Sequence, residues 1–200
     1  MSFCLETLCI RNRQLQNLSA HNERFNRTRL AVWKLAKPAS LETVIQLPDW
    51  ILPNQTYKCR VTYGEKIEKI EFELYHVRPV QSLKLIDCSN LDYSFKYANR
   101  QPINHLFAQR GTADDVLLLR DGLLTDTSYA NVALFNGNHW QTPARPLLEG
   151  TQRARLIQEG ILVPANIYAT DLPHFNRIKL VNAMLDWKQT EAILVSAVTA

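Results

Sequence analysis

The segment Phe3-Cys4-Leu5-Glu6-Thr7-Leu8-Cys9-Ile10 is a run of strand-forming residues, and Asn12-Arg13 supplies a turn before residues 14–18, so the chain is predicted to open with a β-hairpin. Ser19 then stands as a helix N-cap. Phe25, Thr28, Leu30, Val32, Trp33 and Leu35 follow at spacings that fit one helical face, and Pro38 is expected to end that helix. Ser40-Leu41-Glu42 opens a second short helix, and Pro48 and Pro53 punctuate a connector. Residues 57–63 alternate polar and apolar, Gly64-Glu65 turns the chain, and residues 67–77 alternate again, the pattern of a second hairpin.

Arg78-Pro79-Val80-Gln81-Ser82 breaks this pattern, because Pro79 removes a strand donor and its polar neighbours suit exposure. Beyond it the pattern predicts a strand at 83–87, a polar segment to Asp92, and a helix over Asn99–Arg110 that closes at Gly111. Asp121-Gly122 and Asn136-Gly137 are hairpin turns, the first between two apolar runs and the second between 130–135 and 139–141. Residues 151–160 read as a helix stopped by Gly160, and 177–185 as a late strand. The order is mixed rather than regularly βαβ, and no G-x-G-x-x-G occurs, which argues against a dinucleotide-binding domain. An α+β chain of two lobes, residues 1–80 and 81–200, is expected.

Composition narrows the class. In 200 residues, 46% are hydrophobic and 21% charged, enough apolar surface to bury a core and too little charge for a disordered chain. No window nears the roughly 18 apolar residues of a membrane span, and the N-terminus carries Glu6 where a secretory signal would place its apolar run, so a cytosolic chain without membrane association is expected. The 23 basic and 19 acidic residues leave a net charge of +4, spread too thinly to predict nucleic-acid binding. Cys4, Cys9, Cys59 and Cys88 lack C-x-x-C spacing and read as reduced, buried thiols, and the five histidines are scattered, so no metal site is expected.

Single residues leave alternatives open. Lys96 lies in Tyr93-Ser94-Phe95-Lys96-Tyr97, where aromatic neighbours could desolvate an amine nucleophile, although composition alone favours a snorkelling surface lysine. Asp126 follows a hairpin turn and suits either an Asx-turn or a site role. Gly150-Thr151-Gln152-Arg153 opens a helix whose free N–H groups favour an anion such as phosphate. No nucleophile-elbow serine, H-E-x-x-H or Walker loop is present, so the usual hydrolase, metalloprotease and P-loop signatures are missing.

Taken together and in order, the motifs resemble those of the class IV aminotransferase family, the fold-type IV enzymes dependent on pyridoxal phosphate. Leu5-Glu6-Thr7 resembles the family's F-E-T strand, and His21-Asn22-Glu23-Arg24-Phe25 its H-x-x-R-L helix. Lys96-Tyr97-Ala98-Asn99-Arg100 is similar to K-x-x-N-R around the Schiff-base lysine, and the stretch from Asp121 to Asn131 to D-G-x-x-x-E-x-S-x-x-N. Thr142-Pro143 with Leu148-Glu149-Gly150-Thr151-Gln152-Arg153 resembles T-P followed by L-x-G-I-T-R, and Asn182-Ala183-Met184-Leu185 the N-A-L strand of the lyase branch.

The resemblance implies a two-lobed fold-type IV enzyme with pyridoxal 5'-phosphate between the lobes, a small-molecule amino substrate and a homodimer. It implies that Lys96 carries the cofactor and shuttles the proton, that Asp126 faces the pyridine nitrogen, and that Arg24 binds the phosphate with backbone N–H groups at Thr151, Gln152, Asn182 and Ala183. Arg100 is placed to reach the cofactor O3' or the substrate. The family usually has glutamate at position 126 and a leading D-R-G-x-x-x-G-D-G segment that this sequence lacks. The closest branch is aminodeoxychorismate lyase, which makes 4-aminobenzoate for folate synthesis. The other readings are a branched-chain or D-amino-acid aminotransferase and a catalytically silent cofactor-binding module.

Overall fold

The computed structural model describes residues 3–200. Backbone packing divides the chain into two units, one holding the chain up to Val77 together with Phe95–Asn99, the other Arg78–Ser94 with Arg100–Ala200. The break falls in the segment expected from Pro79, but the short piece carrying Lys96 belongs to the first unit, not to the C-terminal lobe. Its backbone is sewn there: Leu5 N donates to Lys96 O at 2.8 Å, Ala98 N donates to Phe3 O at 2.8 Å, and Cys4 pairs antiparallel with Tyr97.

In the first unit, β1 (Cys4–Arg11), β2 (Gln14–Leu15), β3 (Tyr57–Tyr63) and β4 (Ile67–Leu74) form an antiparallel sheet in the order β2-β1-β3-β4. The first turn is tight because Asn12 and Arg13 both adopt positive φ (49° and 58°), the conformation a two-residue hairpin needs. Helix α1 (Leu18–Trp33) starts after Asn17 rather than at Ser19. It ends before Pro38, because Lys34 turns left-handed (φ 60°) and its N–H closes on the Arg29 and Leu30 carbonyls. Asn22 and Asn26 on α1 bind the backbone of Leu41 and Ala39, tying the following loop to the helix. The core joins Leu8, Ile10, Phe25, Leu41, Ile51 and Val61, with the Phe25 ring edge-on to Tyr63 at 4.7 Å.

The second unit is built on a nine-stranded mixed sheet. Its path comprises β5 (Leu83–Asp87), β6 (Asp115–Arg120), β7 (Leu123–Thr127), β8 (Asn131–Phe135), β9 (Trp140–Pro143), β10 (Leu162–Ala165), β11 (Arg177–Val181), β12 (Ile193–Leu194) and β13 (Val198–Thr199). The order is β10-β9-β8-β7-β6-β5-β13, with β11 pairing both β8 and β12. Asp121 and Gly122, at φ 54° and 78°, make the expected tight turn between β6 and β7. Helix α2 (Gln101–Ala108) is shorter than expected, and α3 (Thr151–Gln158) closes before Gly160 as expected. The last long strand stops at Val181 rather than continuing to 185, since Asn182 Oδ1 accepts from Met184 N and Leu185 N and turns the chain. The core gathers Leu117, Leu124, Val132, Leu134, Ile178 and Leu180.

Cys4, Cys9, Cys59 and Cys88 are buried thiols, and burial pushes Cys4 and Cys59 up to about 11 and about 12. Among the described residues no helix is long and apolar enough to cross a membrane.

Candidate active site

Strand β1 alternates, and its core-facing positions are Cys4, Glu6, Leu8 and Ile10. A carboxylate therefore enters an apolar layer and must be compensated there. The buried stripe of α1 supplies the compensation, because His21, Arg24, Phe25 and Thr28 recur at helical spacing on the face turned inward. Arg24 Nε donates to Glu6 Oε1 at 2.8 Å and an Arg24 terminal nitrogen to Glu6 Oε2 at 2.7 Å, a bidentate fork. His21 Nδ1 lies 2.6 Å from Glu6 Oε2, and since an ionised carboxylate only accepts, the proton is assigned to Nδ1. Burial alone would raise the Glu6 carboxyl, but the Arg24 charge and the His21 hydrogen bond outweigh it and hold it down to about 2. Burial depresses the His21 ring against the pull of Glu6, so the triad carries one anion, one cation and a neutral imidazole. Lys96 is half-buried in the same unit, and its charge is among those that depress His21, which places the amine within electrostatic range of that ring.

The second unit buries another carboxylate with different neighbours. Asp126, on β7, accepts from Asn131 Nδ2 at 2.7 Å through Oδ1 and from Leu148 N at 2.9 Å through Oδ2. Both donors are neutral amides. Arg153 on α3 acts on Asp126 only at a distance, since its guanidinium donates to Thr142 Oγ1 at 3.3 Å and Pro143 O at 2.7 Å. Desolvation therefore wins and raises Asp126 to about 6, against the Asn131 and Leu148 hydrogen bonds and the Arg153 charge. A buried carboxylate in this state is stabilised by any cationic N–H donor brought to it.

Beside Asp126 stands the N-terminus of α3, where Gly150 contributes no side-chain cap and Thr151 and Gln152 form the first turn. The turn holding Asn182 and Ala183 follows directly on Val181, which pairs with Asn131. Asp126, the α3 N-terminus and the 182–183 turn thus converge around Asn131. This donor set, an under-compensated carboxylate near backbone amides at a helix start, fits a group with a cationic ring nitrogen and a phosphate. Arg100, at the start of α2, spends a guanidinium bond on Ser128 O at 2.7 Å and so braces the β7–β8 turn.

The structure gathers Arg24 and Lys96 in the first unit and Asp126, Thr151, Gln152, Asn182, Ala183 and Arg100 in the second. Sequence reasoning gave no role to Glu6, His21, Asn131 or Arg153. Glu6 was detectable as a charged residue in phase with the apolar face of a strand. Asn131 stood out only as the last position of the match to D-G-x-x-x-E-x-S-x-x-N, and its contacts were hidden because its partners lie 5 and 17 residues away.

The family model for amino-transferase class IV matches residues 4–193. An uncharacterized protein of Haemophilus influenzae is 38% identical over 181 residues, covering 90% of this chain and 96% of that protein. Among solved structures, a protein from Haemophilus somnus described as a candidate 4-amino-4-deoxychorismate lyase superposes with a TM-score of 0.86 at 30% identity, covering 92% of this chain and 97% of its own. A candidate amino-acid aminotransferase from Mesorhizobium loti, at 20% identity and TM-score 0.76, covers 97% and 98% and speaks for the fold alone.

Proposed function

The chain belongs to the class IV aminotransferase family and is a pyridoxal 5'-phosphate-dependent enzyme of fold-type IV, and from that premise we propose that it is a 4-amino-4-deoxychorismate lyase, releasing pyruvate and 4-aminobenzoate for folate synthesis. The observation that carries the cofactor assignment is Asp126, a buried carboxylate raised to about 6 that accepts from the neutral amides of Asn131 and Leu148 and stands beside the α3 N-terminus. Likeness over nearly the whole chain to the Haemophilus somnus protein, together with Asn182-Ala183-Met184-Leu185 and Lys96-Tyr97-Ala98-Asn99-Arg100, supports the lyase over the aminotransferase.

Bound pyridoxal phosphate supplies an electron sink next to the carbon that bears the substrate amine. In this reading Asp126 keeps the ring nitrogen protonated, Arg24 and the amides of Thr151, Gln152, Asn182 and Ala183 hold the phosphate, and Glu6 fixes the Arg24 fork. Lys96 would hold the cofactor and take the proton from the amine-bearing carbon. Loss of that proton would allow the C–O bond to the enolpyruvyl group to break, with the electron pair going to the oxygen, so that the enol would leave and become pyruvate on protonation at carbon while the ring became aromatic. Arg100 keeps the candidate contact to O3' or substrate in addition to its Ser128 brace. We place the enzyme in the cytosol as a homodimer, which light scattering of the cofactor-loaded protein tests.

Two measurements test the assignment. Added pyridoxal phosphate should give a visible absorption band that Lys96→Ala lacks, and a colourless wild type would refute cofactor binding. Aminodeoxychorismate should yield 4-aminobenzoate with no keto-acid acceptor present. Conversion of the cofactor by amino acids to its pyridoxamine form, reversed by 2-oxoglutarate or pyruvate, would give the site to an aminotransferase instead. Cofactor binding with neither reaction would leave a silent binding module.

A further inference from the structure

Gly150 is not required by its backbone, whose φ of −71° and ψ of 139° suit any residue. It is required by closeness: a Cβ there would stand 2.0 Å from Asn131 Oδ1 and 3.2 Å from Asn131 Cγ. On its other side Asn131 is fully committed. Its Nδ2 donates to Asp126 Oδ1 at 2.7 Å and to Leu148 O at 2.8 Å, while Leu148 N donates to Asp126 Oδ2 at 2.9 Å. Asp126 and Asn131 thus clamp the N–H and C=O of one residue, two positions ahead of the glycine that opens α3. At the backbone, Asn131 pairs with Asp126 of β7 and with Val181 of β11, next to the Asn182 turn.

We propose that Asn131 is a positioning residue that holds the Asp126 carboxylate and the N-terminus of α3 in one register, with Gly150 as the space that lets it do so. The inference rests on the reading that Asp126 serves the ring nitrogen and the α3 amides serve the phosphate. One carboxamide then fixes the distance between the two ends of the cofactor's seat. Aspartate at position 131 would set an acceptor against Asp126 Oδ1 and Leu148 O, and alanine would leave both without that donor. A side chain at position 150 would displace Asn131 from the opposite side. The charged and titratable groups facing Asp126 are Arg153 from α3 and the Cys88 thiol just after β5, and neither is altered by these changes.

The test reads Asp126 directly, by carboxyl NMR titration of the full chain without cofactor, followed by pyridoxal phosphate titration. Asn131→Ala should move the Asp126 midpoint upward by about one pH unit or more, since burial persists while a hydrogen bond to the charged form is lost. It should weaken pyridoxal phosphate binding about tenfold or more. Gly150→Ala should do the same in the wild type and add little in the Asn131→Ala background, where the obstructing carboxamide is gone. Should Asn131→Ala not fold, Asn131→Ser, which keeps a short donor, gives the same readouts. An unmoved Asp126 midpoint, or fully additive losses at positions 131 and 150, overturns the positioning role. A moved midpoint with unchanged cofactor affinity refutes the shared register with the α3 amides, whereas a wild type that binds no pyridoxal phosphate refutes instead the reading on which the inference rests.

Discussion

Each unit buries one carboxylate in an apolar layer, and the two are driven in opposite directions. Glu6 meets a bidentate guanidinium and an imidazole N–H and is held down to about 2, whereas Asp126 meets neutral amides and rises to about 6. Burial is the same in both cases; what differs is whether a cation completes the hydrogen-bonded shell. Glu6 is a finished structural ion pair whose service is to fix Arg24. Asp126 is unfinished within its own unit, which is the condition expected of a group that works on a cationic ligand.

The comparison breaks most forcefully at Arg24. Arg24→Met should leave Glu6 buried without its cation and cost about 3–5 kcal/mol of stability, whereas Arg24→Met combined with Glu6→Gln should recover much of it, both read by denaturant unfolding. Next in size is the pH dependence contributed by Asp126. Its folded carboxyl is raised from 3.8 to about 6, so the folded state binds more protons in that window and the contribution to stability falls as pH rises through it. The stability of Asp126→Asn relative to wild type should therefore increase by about 2 kcal/mol between pH 4 and pH 7 in cofactor-free protein. The same substitution should lower turnover by about 10²-fold while pyridoxal phosphate still binds, and wild-type rates would remove Asp126 from the mechanism.

Glu6 has the opposite sign. Its contribution is complete above about 4.5 and disappears as pH falls toward 2, so acid unfolding below pH 4 should be blunted in Glu6→Gln. His21 is the smaller partner, and His21→Gln should cost about 1–2 kcal/mol at pH 7 by loosening Glu6. Because burial depresses the imidazole, the stability of the wild type relative to the variant should also fall as pH drops below about 6.5. Least of all should change with Lys69→Ala, which removes an exposed pair with Glu71 on β4 and should shift stability by no more than about 0.5 kcal/mol.

The hairpins and helices were legible because strong local signals made them. Asp121-Gly122 can turn left-handed without strain in its context, and the alternation of residues 57–63 commits those side chains to two faces. The short strands β10, β12 and β13 were not legible, since two to four residues carry no readable period and exist only by pairing with distant neighbours. The C-terminus of α1 was set by a left-handed Lys34, a conformation that the sequence did not advertise, rather than by Pro38.

The sequence by itself determined the family and the order of the longer strands and helices, because motif spacing along the chain survives without coordinates. Tertiary structure alone decided that Lys96 packs with the first unit, that Glu6 holds both Arg24 and His21, and that Asn131, Asp126 and Gly150 close on one another. Those outcomes depend on ångström-scale approach between segments far apart in sequence. Burial then turns each approach into a large electrostatic difference, which no linear pattern encodes.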